Sequence, residues 1–308
     1  MSISPKRLWI ADVMLLLVAV VWGTSYGVAK HALVFYPVLG FLTLRFCLTF
    51  IALSPSLLQL RRPEGRAALW AGLPLGLILL SVFICETFGI ALTQASNAAF
   101  LISLCIVFTP FVEWVVMGQR PPSSAFVVAF IALLGTWLLT LGARLTFNLG
   151  DGLILMAALL RALMVCMTKR LTLGRKMATL TLTAVQSGVV GFGSLIIAAV
   201  VLKGGLPALP LNPVFWSSTA YLVVFCTIFA FFAQTYAVRR SSPTRVSLLM
   251  GSEPLFGALF AAIWLGEKLG TVSWFGGALI VGATLWATLP KNGLLKAATF
   301  WRQKNYLN

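Results

Sequence analysis

Ten apolar stretches, at residues 10–30, 37–58, 68–92, 95–117, 123–143, 151–171, 178–202, 214–238, 243–266 and 271–289, follow one another with only short polar breaks between them. Each has about the length that a helix needs to cross the ~30 Å hydrocarbon core of a bilayer, roughly 20 residues. No break is long enough to hold a soluble domain, so whatever this chain does takes place within or across a membrane. Composition agrees, because 60% of the 308 residues are apolar and only 10% are charged, far from the balance of a soluble domain. The expected fold is an all-α membrane protein of ten transmembrane helices.

Ten crossings put both termini on one side, and the basic residues select the side. Of the 23 Lys and Arg residues, 17 fall at the N-terminal side of the alternation, four (Lys30, Arg144, Lys203, Lys268) fall opposite, and Arg45 and Arg161 lie within apolar stretches. An excess of Lys and Arg marks cytoplasmic loops, so both termini are expected in the cytoplasm of a bacterial cell, with the chain in its inner membrane. The formal charge of +16 is spread over many loops and the tail, which suits anionic headgroups better than nucleic acid. The basic N-terminus resembles a signal peptide, but its apolar run is too long and lacks a small-residue cleavage site. It is read as a retained first helix. The five cysteines are scattered through apolar stretches without paired spacing and are read as core residues.

The chain contains a weak internal echo. "FGIALTQASNAA" from Phe88 pairs with "QTYAVRRSSPTR" from Gln234, and "LLGTWLLTLG" from Leu133 pairs with "IVGATLWATL" from Ile280, at separations of 146 and 147 residues. A duplicated unit of five helices must enter the membrane from opposite sides, because five is odd. The expected architecture is thus two inverted five-helix repeats, residues 1–147 and 148–290, around a central cavity, with a basic cytoplasmic tail at 291–308. Inverted repeats are common in secondary transporters, whose substrate site lies near the midplane between the repeats.

Ionisable groups at bilayer depth cost about 2.5 to 3.5 kcal/mol each on insertion scales, so each needs a partner, a cavity or a neutral form. Glu253 and Arg161 both lie ten residues into their stretches, which at ~1.5 Å per residue puts them near the midplane. Glu253 is followed by Pro254, which has no N–H to give a helix, and "GSEP" therefore reads as a bend facing the interior, with Met250 losing its helical donor. The carboxylate either serves the cavity or ties the ninth helix to a neighbour; Arg161 either meets substrate or is that neighbour. Trp22 and Tyr26 share a helical face and form either an aromatic wall for a flat ligand or ordinary packing. Arg45 and Glu86 fall at similar outer depth and are expected to pair, as a structural latch or an outer gate. Asn97 and Gln234 supply neutral hydrogen bonds. The small pairs Gly72/Gly76 and Ser187/Gly191 suit close helix approach. There is no phosphate-binding GxxxxGK[ST] loop, His31 is the single histidine, and no HExxH occurs, so neither cofactor nor metal is expected, and no enzymatic activity.

The residues also carry a resemblance. "VVWGTSYGVAK" in the first stretch, "SPTRVSLLMGSEPLFGALFAAIWLGEKL" in the ninth and "WFGGALIVGATL" in the tenth resemble the EamA branch of the drug/metabolite transporter superfamily. "ASNAAFLISLCIVFTPFVEWVVMGQRP" in the fourth is similar to YddG-like exporters within that branch. This stretch departs from the internal repeat: Pro110 is followed by Gly118 after eight residues, whereas Pro254 is followed by Gly266 after twelve. The resemblance implies export of small metabolites, amino acids and aromatic ones among them, by alternating access. On this reading Trp22, Tyr26, Asn97, Arg161, Gln234 and Glu253 bind substrate, and Arg45, Glu86, Pro110 and Pro254 gate or shape the path. The expected partners are a small-molecule substrate and the lipid bilayer, without nucleic acid, for a chain acting as a monomer. Export of cationic drugs with Glu253 as counter-ion is the alternative. A membrane-embedded lipid or prenyl transferase would need a carboxylate or His cluster at the cytoplasmic rim, which the sequence lacks. Thiol labelling of single-cysteine variants is expected to reach positions 62, 176 and 240 from the cytoplasm and 203 from outside; labelling of 203 and 240 from one face would overturn the ten-span topology.

Overall fold

Helix follows helix because a segment in lipid must satisfy its backbone polar groups internally. The computed structural model describes residues 5–93, 95–118, 120–139, 148–264 and 270–288, and among them there is no strand. The helices of the first half are α1 (Pro5–Ala32), α2 (Val38–Leu53), α3 (Pro63–Leu92), α4 (Ala95–Ser103), α5 (Cys105–Met117) and α6 (Ser123–Leu139). Those of the second half are α7 (Leu149–Thr172), α8 (Thr179–Val201), α9 (Pro213–Val223), α10 (Ala230–Val238), α11 (Pro243–Met250), α12 (Glu253–Trp264) and α13 (Thr271–Thr288). Seven described segments are long and apolar enough to cross a membrane, and Ser123–Leu139 and Thr271–Ala287 are shorter apolar helices. The expected tail, and the ends of the fifth, ninth and tenth stretches, lie outside the described residues.

Local chemistry sets the helix ends. Pro63, Pro213 and Pro243 stand in first turns, where a missing N–H breaks no bond. Asn148 and Asp151 form a reciprocal capping box on α7, at 3.0 and 3.1 Å. Gly118, at φ +67°, closes α5 in the left-handed region. Three stretches expected to be single helices are interrupted. The fourth breaks at Leu104, the ninth breaks at Gly251 and Ser252, and the eighth passes through a π-helical turn, Val224–Phe229, between α9 and α10.

α3 packs against both α7 and α8, α2 runs along α8, α6 runs along α13, and α1 lies against α9, α10 and α12. The large aromatic and aliphatic side chains left outside, Trp70, Val115, Phe130 and Ile196 among them, form the apolar exterior that lipid requires. The α3–α8 contact is close enough that a Cβ on Gly76 would come within 2.6 Å of Val189 Cβ, whereas one on Gly27 would meet nothing within 4 Å. Gly76→Val is therefore expected to cost about 1 to 3 kcal/mol by overpacking and to lower the thermal midpoint in detergent. Gly27→Ala is expected to leave it unchanged.

Candidate functional site

The site begins at the break in the ninth stretch. α11 ends as the Gly251 N–H bonds back to the Ser247 carbonyl at 2.8 Å, and Ser252 Oγ donates to Leu249 O at 2.8 Å. α12 then restarts with Glu253 and Pro254. The expected bend is thus a full interruption: Pro254 stands in a first turn, where its missing N–H would have had no helical acceptor. Glu253 consequently sits at a helix N-terminus, where the aligned peptide dipoles favour a carboxylate. α1 crosses here with backbone close to backbone. A Cβ on Gly23 would lie 2.6 Å from Glu253 O and 2.8 Å from Gly257 N. That approach brings Trp22 and Tyr26 against Glu253.

Arg161 completes the cluster from α7. Its Nη2 donates to Glu253 Oε2 at 3.3 Å, its Nη1 donates to the Tyr26 hydroxyl at 3.1 Å, and its guanidinium lies over the Trp22 ring at 4.6 Å. Trp22 is itself fixed, with Nε1 donating to Cys226 O in the π turn at 2.9 Å and its ring edge-on to Phe231. Glu253 is 6% exposed, and its Oε1 has no hydrogen-bond partner.

Two cavities meet at this cluster, sharing Arg161, Gln234 and Glu253. The larger extends past Arg45, Phe83 and Glu86 toward Ala29 and Ile90, at the end of the bundle where Lys30 holds Thr93 O. The smaller reaches Cys105, Ser247 and Pro254. Of the residues singled out in the sequence, Trp22, Tyr26, Arg45, Glu86, Arg161, Gln234 and Glu253 line the larger cavity. Asn97 and Pro110 are buried but line neither. The expected Arg45–Glu86 pair is absent. Arg45 Nε donates instead to Thr227 Oγ1 at 3.0 Å, and its guanidinium packs on Phe46 and Phe83 at 5.4 and 5.2 Å from their ring centroids. Equal depth on two helices does not make two side chains point at each other.

Beyond the smaller cavity, the other end of the bundle is held shut by contacts that sequence reasoning missed. Arg245 grips Asp12 through Nη2 and Nε at 2.7 and 3.3 Å. The neighbouring Thr244 donates its N–H to Glu113 Oε2 at 2.9 Å, and its hydroxyl to the same oxygen. Two carboxylates from the first half thus hold consecutive residues at the start of α11. Lys169 Nζ donates to Val238 O at 3.0 Å, and Arg239 donates to Met177 O at 2.9 Å. The available signal was the polar cluster "SSPTR" beside an isolated acid in each of two apolar helices, but spacing alone does not say which residues meet.

Membrane-length helices around a buried, charged cavity define a multi-pass membrane protein. The chain belongs to the EamA-like transporter family, whose model matches it twice, over residues 9–141 and 148–289. It is therefore a transporter and not an enzyme. It is similar to an uncharacterized transporter of Archaeoglobus fulgidus, 25% identical over 284 residues that cover 92% of this chain and 87% of the relative. It is also similar to the uncharacterized inner membrane transporter YedA of Escherichia coli K12, 28% identical over 284 residues and 88% of each chain. A solved crystal structure superposes with a TM-score of 0.71 at 17% identity, covering 90% of this chain and 96% of its own, a likeness of fold alone.

Removing one partner of a buried ion pair strands the other, at a cost of about 3 to 5 kcal/mol. Arg161→Ala is accordingly expected to lower the thermal midpoint more than Arg161→Ala combined with Glu253→Gln. A double variant as unstable as the single one would show that the two groups do not depend on each other.

Proposed function

We propose that the chain is a secondary transporter that exports small amphipathic metabolites, amino acids including aromatic ones, by alternating access. On this reading it crosses a bacterial inner membrane ten times as two inverted five-helix repeats, with both termini in the cytoplasm. The ten passes are the seven long segments, the two shorter apolar helices and the interrupted α11–α12 pair. Inversion is supported by reciprocal packing: the helices standing second in each repeat touch each other, α2 on α8, as do those standing fifth, α6 on α13.

The observation that carries the reading is the Arg161–Glu253 pair, which stands where the two cavities meet under Trp22 and Tyr26. A solute passing from one cavity to the other must separate these charges or replace them. A molecule with one cationic and one anionic end offers each of them a new partner as the old one is lost, and its apolar part lies against the aromatic wall. The contacts of Asp12 with Arg245 and of Glu113 with Thr244 are the inner gate. To open it, α11 swings about Gly251 and Ser252 while α12 stays packed on α1. Chains with broken helices at mid-membrane bind substrates where the half-helices end.

The test uses the purified chain in proteoliposomes, with a panel of amino acids and organic cations, in the presence and absence of a pH gradient. Glu253→Gln keeps shape and hydrogen bonding but removes a charge that faces Arg161 on α7, Tyr26 on α1 and Glu86 on α3. It leaves the Arg161 cation without its counter-charge, so it is expected to lower the thermal midpoint and, per folded molecule, to cut amino-acid export at least about tenfold. Wild-type export by this variant across the pH range would reduce the glutamate to a neutral tie. Export of organic cations with no amino-acid export would favour the drug-exporter reading.

A further inference from the structure

The cavity holds a second buried arginine, and its environment differs from that of Arg161. Arg161 spends both terminal amino groups on Glu253 and Tyr26. Arg45 is the more deeply buried, 6% exposed, yet among the described residues only its Nε is bonded, to Thr227 Oγ1. Thr227 is oriented in turn, donating to Leu222 O at 2.8 Å across the π turn. The guanidinium packs against Phe46 and Phe83, which meet edge to face at 4.6 Å. The side chain is thus held by its stem and faces, and Nη1 and Nη2 are left to the larger cavity without a protein partner. Glu86, three residues from Phe83 and on the same face of α3, lines that cavity too and makes no hydrogen bond or ion pair among the described residues.

A structural arginine at this depth would take the neighbouring carboxylate, because an unpaired charge in a membrane is costly. Here the two side chains line one cavity and make no direct bond to each other. A guanidinium fork with two free amino groups matches a carboxylate bidentately, and an unpaired carboxylate matches an ammonium. Net charge sets the ligand class. The cavity carries two arginines and two glutamates, so a cation alone would leave Arg45 uncompensated and an anion alone would leave Glu86 so. A zwitterion satisfies both and adds no net charge to the bilayer interior.

We infer that Arg45 and Glu86 form the head-group subsite of the larger cavity, Arg45 taking the carboxylate and Glu86 the ammonium of an α-amino acid. The subsite rests on the reading of the chain as an exporter of small amphipathic metabolites, and it leaves the Arg161–Glu253 pair as the partition that the bound molecule next opens.

Three probes of nearly one shape separate the charges: L-phenylalanine, phenethylamine without the carboxylate, and 3-phenylpropionate without the ammonium. Binding to the full chain in lipid nanodiscs is measured by calorimetry. Wild type is expected to prefer phenylalanine. Arg45→Gln is expected to weaken phenylalanine and phenylpropionate by about tenfold or more while leaving phenethylamine within twofold. Glu86→Gln is expected to weaken phenylalanine and phenethylamine and spare phenylpropionate. Thr227→Val and Arg45→Lys, which keep the charge but lose its orientation or its fork, are expected to follow Arg45→Gln in direction with a smaller effect. They carry the test if Arg45→Gln does not fold. Equal weakening of all three probes by the Arg45 and Thr227 variants, or no weakening, would make Arg45 a packing residue and overturn the subsite while the proposed transport stands. Binding of none of the probes by wild type, with no amino-acid export in proteoliposomes, would overturn both.

Discussion

A charged group in the middle of a bilayer has no water to fall back on, and the arrangement around Arg161 and Glu253 follows from that. Each needs the other, and each also needs support that a regular apolar helix does not provide. Glu253 has it because α12 begins at its own residue, so the free end of a helix faces the carboxylate. Arg161 has it because Gly23 and Gly257 let α1 approach closely enough for Tyr26 and Trp22 to reach the guanidinium. The π turn in the eighth stretch belongs to the same arrangement, since Cys226 O there accepts from Trp22. Remove the charges, and the interruptions in the helices lose their reason.

The two ends of the bundle are not equivalent. At one end α11 is held by Asp12 and Glu113, and Lys169 and Arg239 tie the loops across. At the other the larger cavity reaches Ala29 and Ile90, where Lys30 bonds Thr93 O and Thr93 donates to Asp151. The segment that closes the first end is only the eight residues from Pro243 to Met250, joined to the site by two turn residues. A short rigid piece beside a flexible joint moves at less cost than a whole helix packed along its length, because fewer buried contacts must be given up.

Much of this was legible in the sequence, because bilayer thickness imposes a length on every element and lipid forbids unpaired backbone. The apolar stretches, the choice of Arg161 and Glu253 as neighbours and the irregularity at "GSEP" all follow from counting residues and from the chemistry of proline. Counting gives depth along a helix and does not give direction around it. That is why Arg45 and Glu86, which line the same cavity, were expected to pair and do not. It is also why Asn97, at a suitable depth, lines neither cavity. The gate contacts were hidden for another reason: Asp12 and Arg245 are 233 residues apart, and no local pattern links such positions. The π turn gave no signal at all, since Val224–Phe229 reads as ordinary apolar helix.

The two arginines make the functional argument sharper than either does alone. Insertion of each costs a comparable amount, so a chain selected only for stability would resolve both in the same way, with the nearest carboxylate. It resolves one fully, through Glu253 and Tyr26, and leaves the other with a hydroxyl at its Nε, two aromatic rings at its faces and its fork open to the cavity. Buried charge without a protein partner persists where an outside partner completes it for part of the cycle. In a transporter that partner is the solute, and on the proposed reading a neutral solute with separated charges completes Arg45 and Glu86 together while carrying no net charge past the Arg161–Glu253 pair.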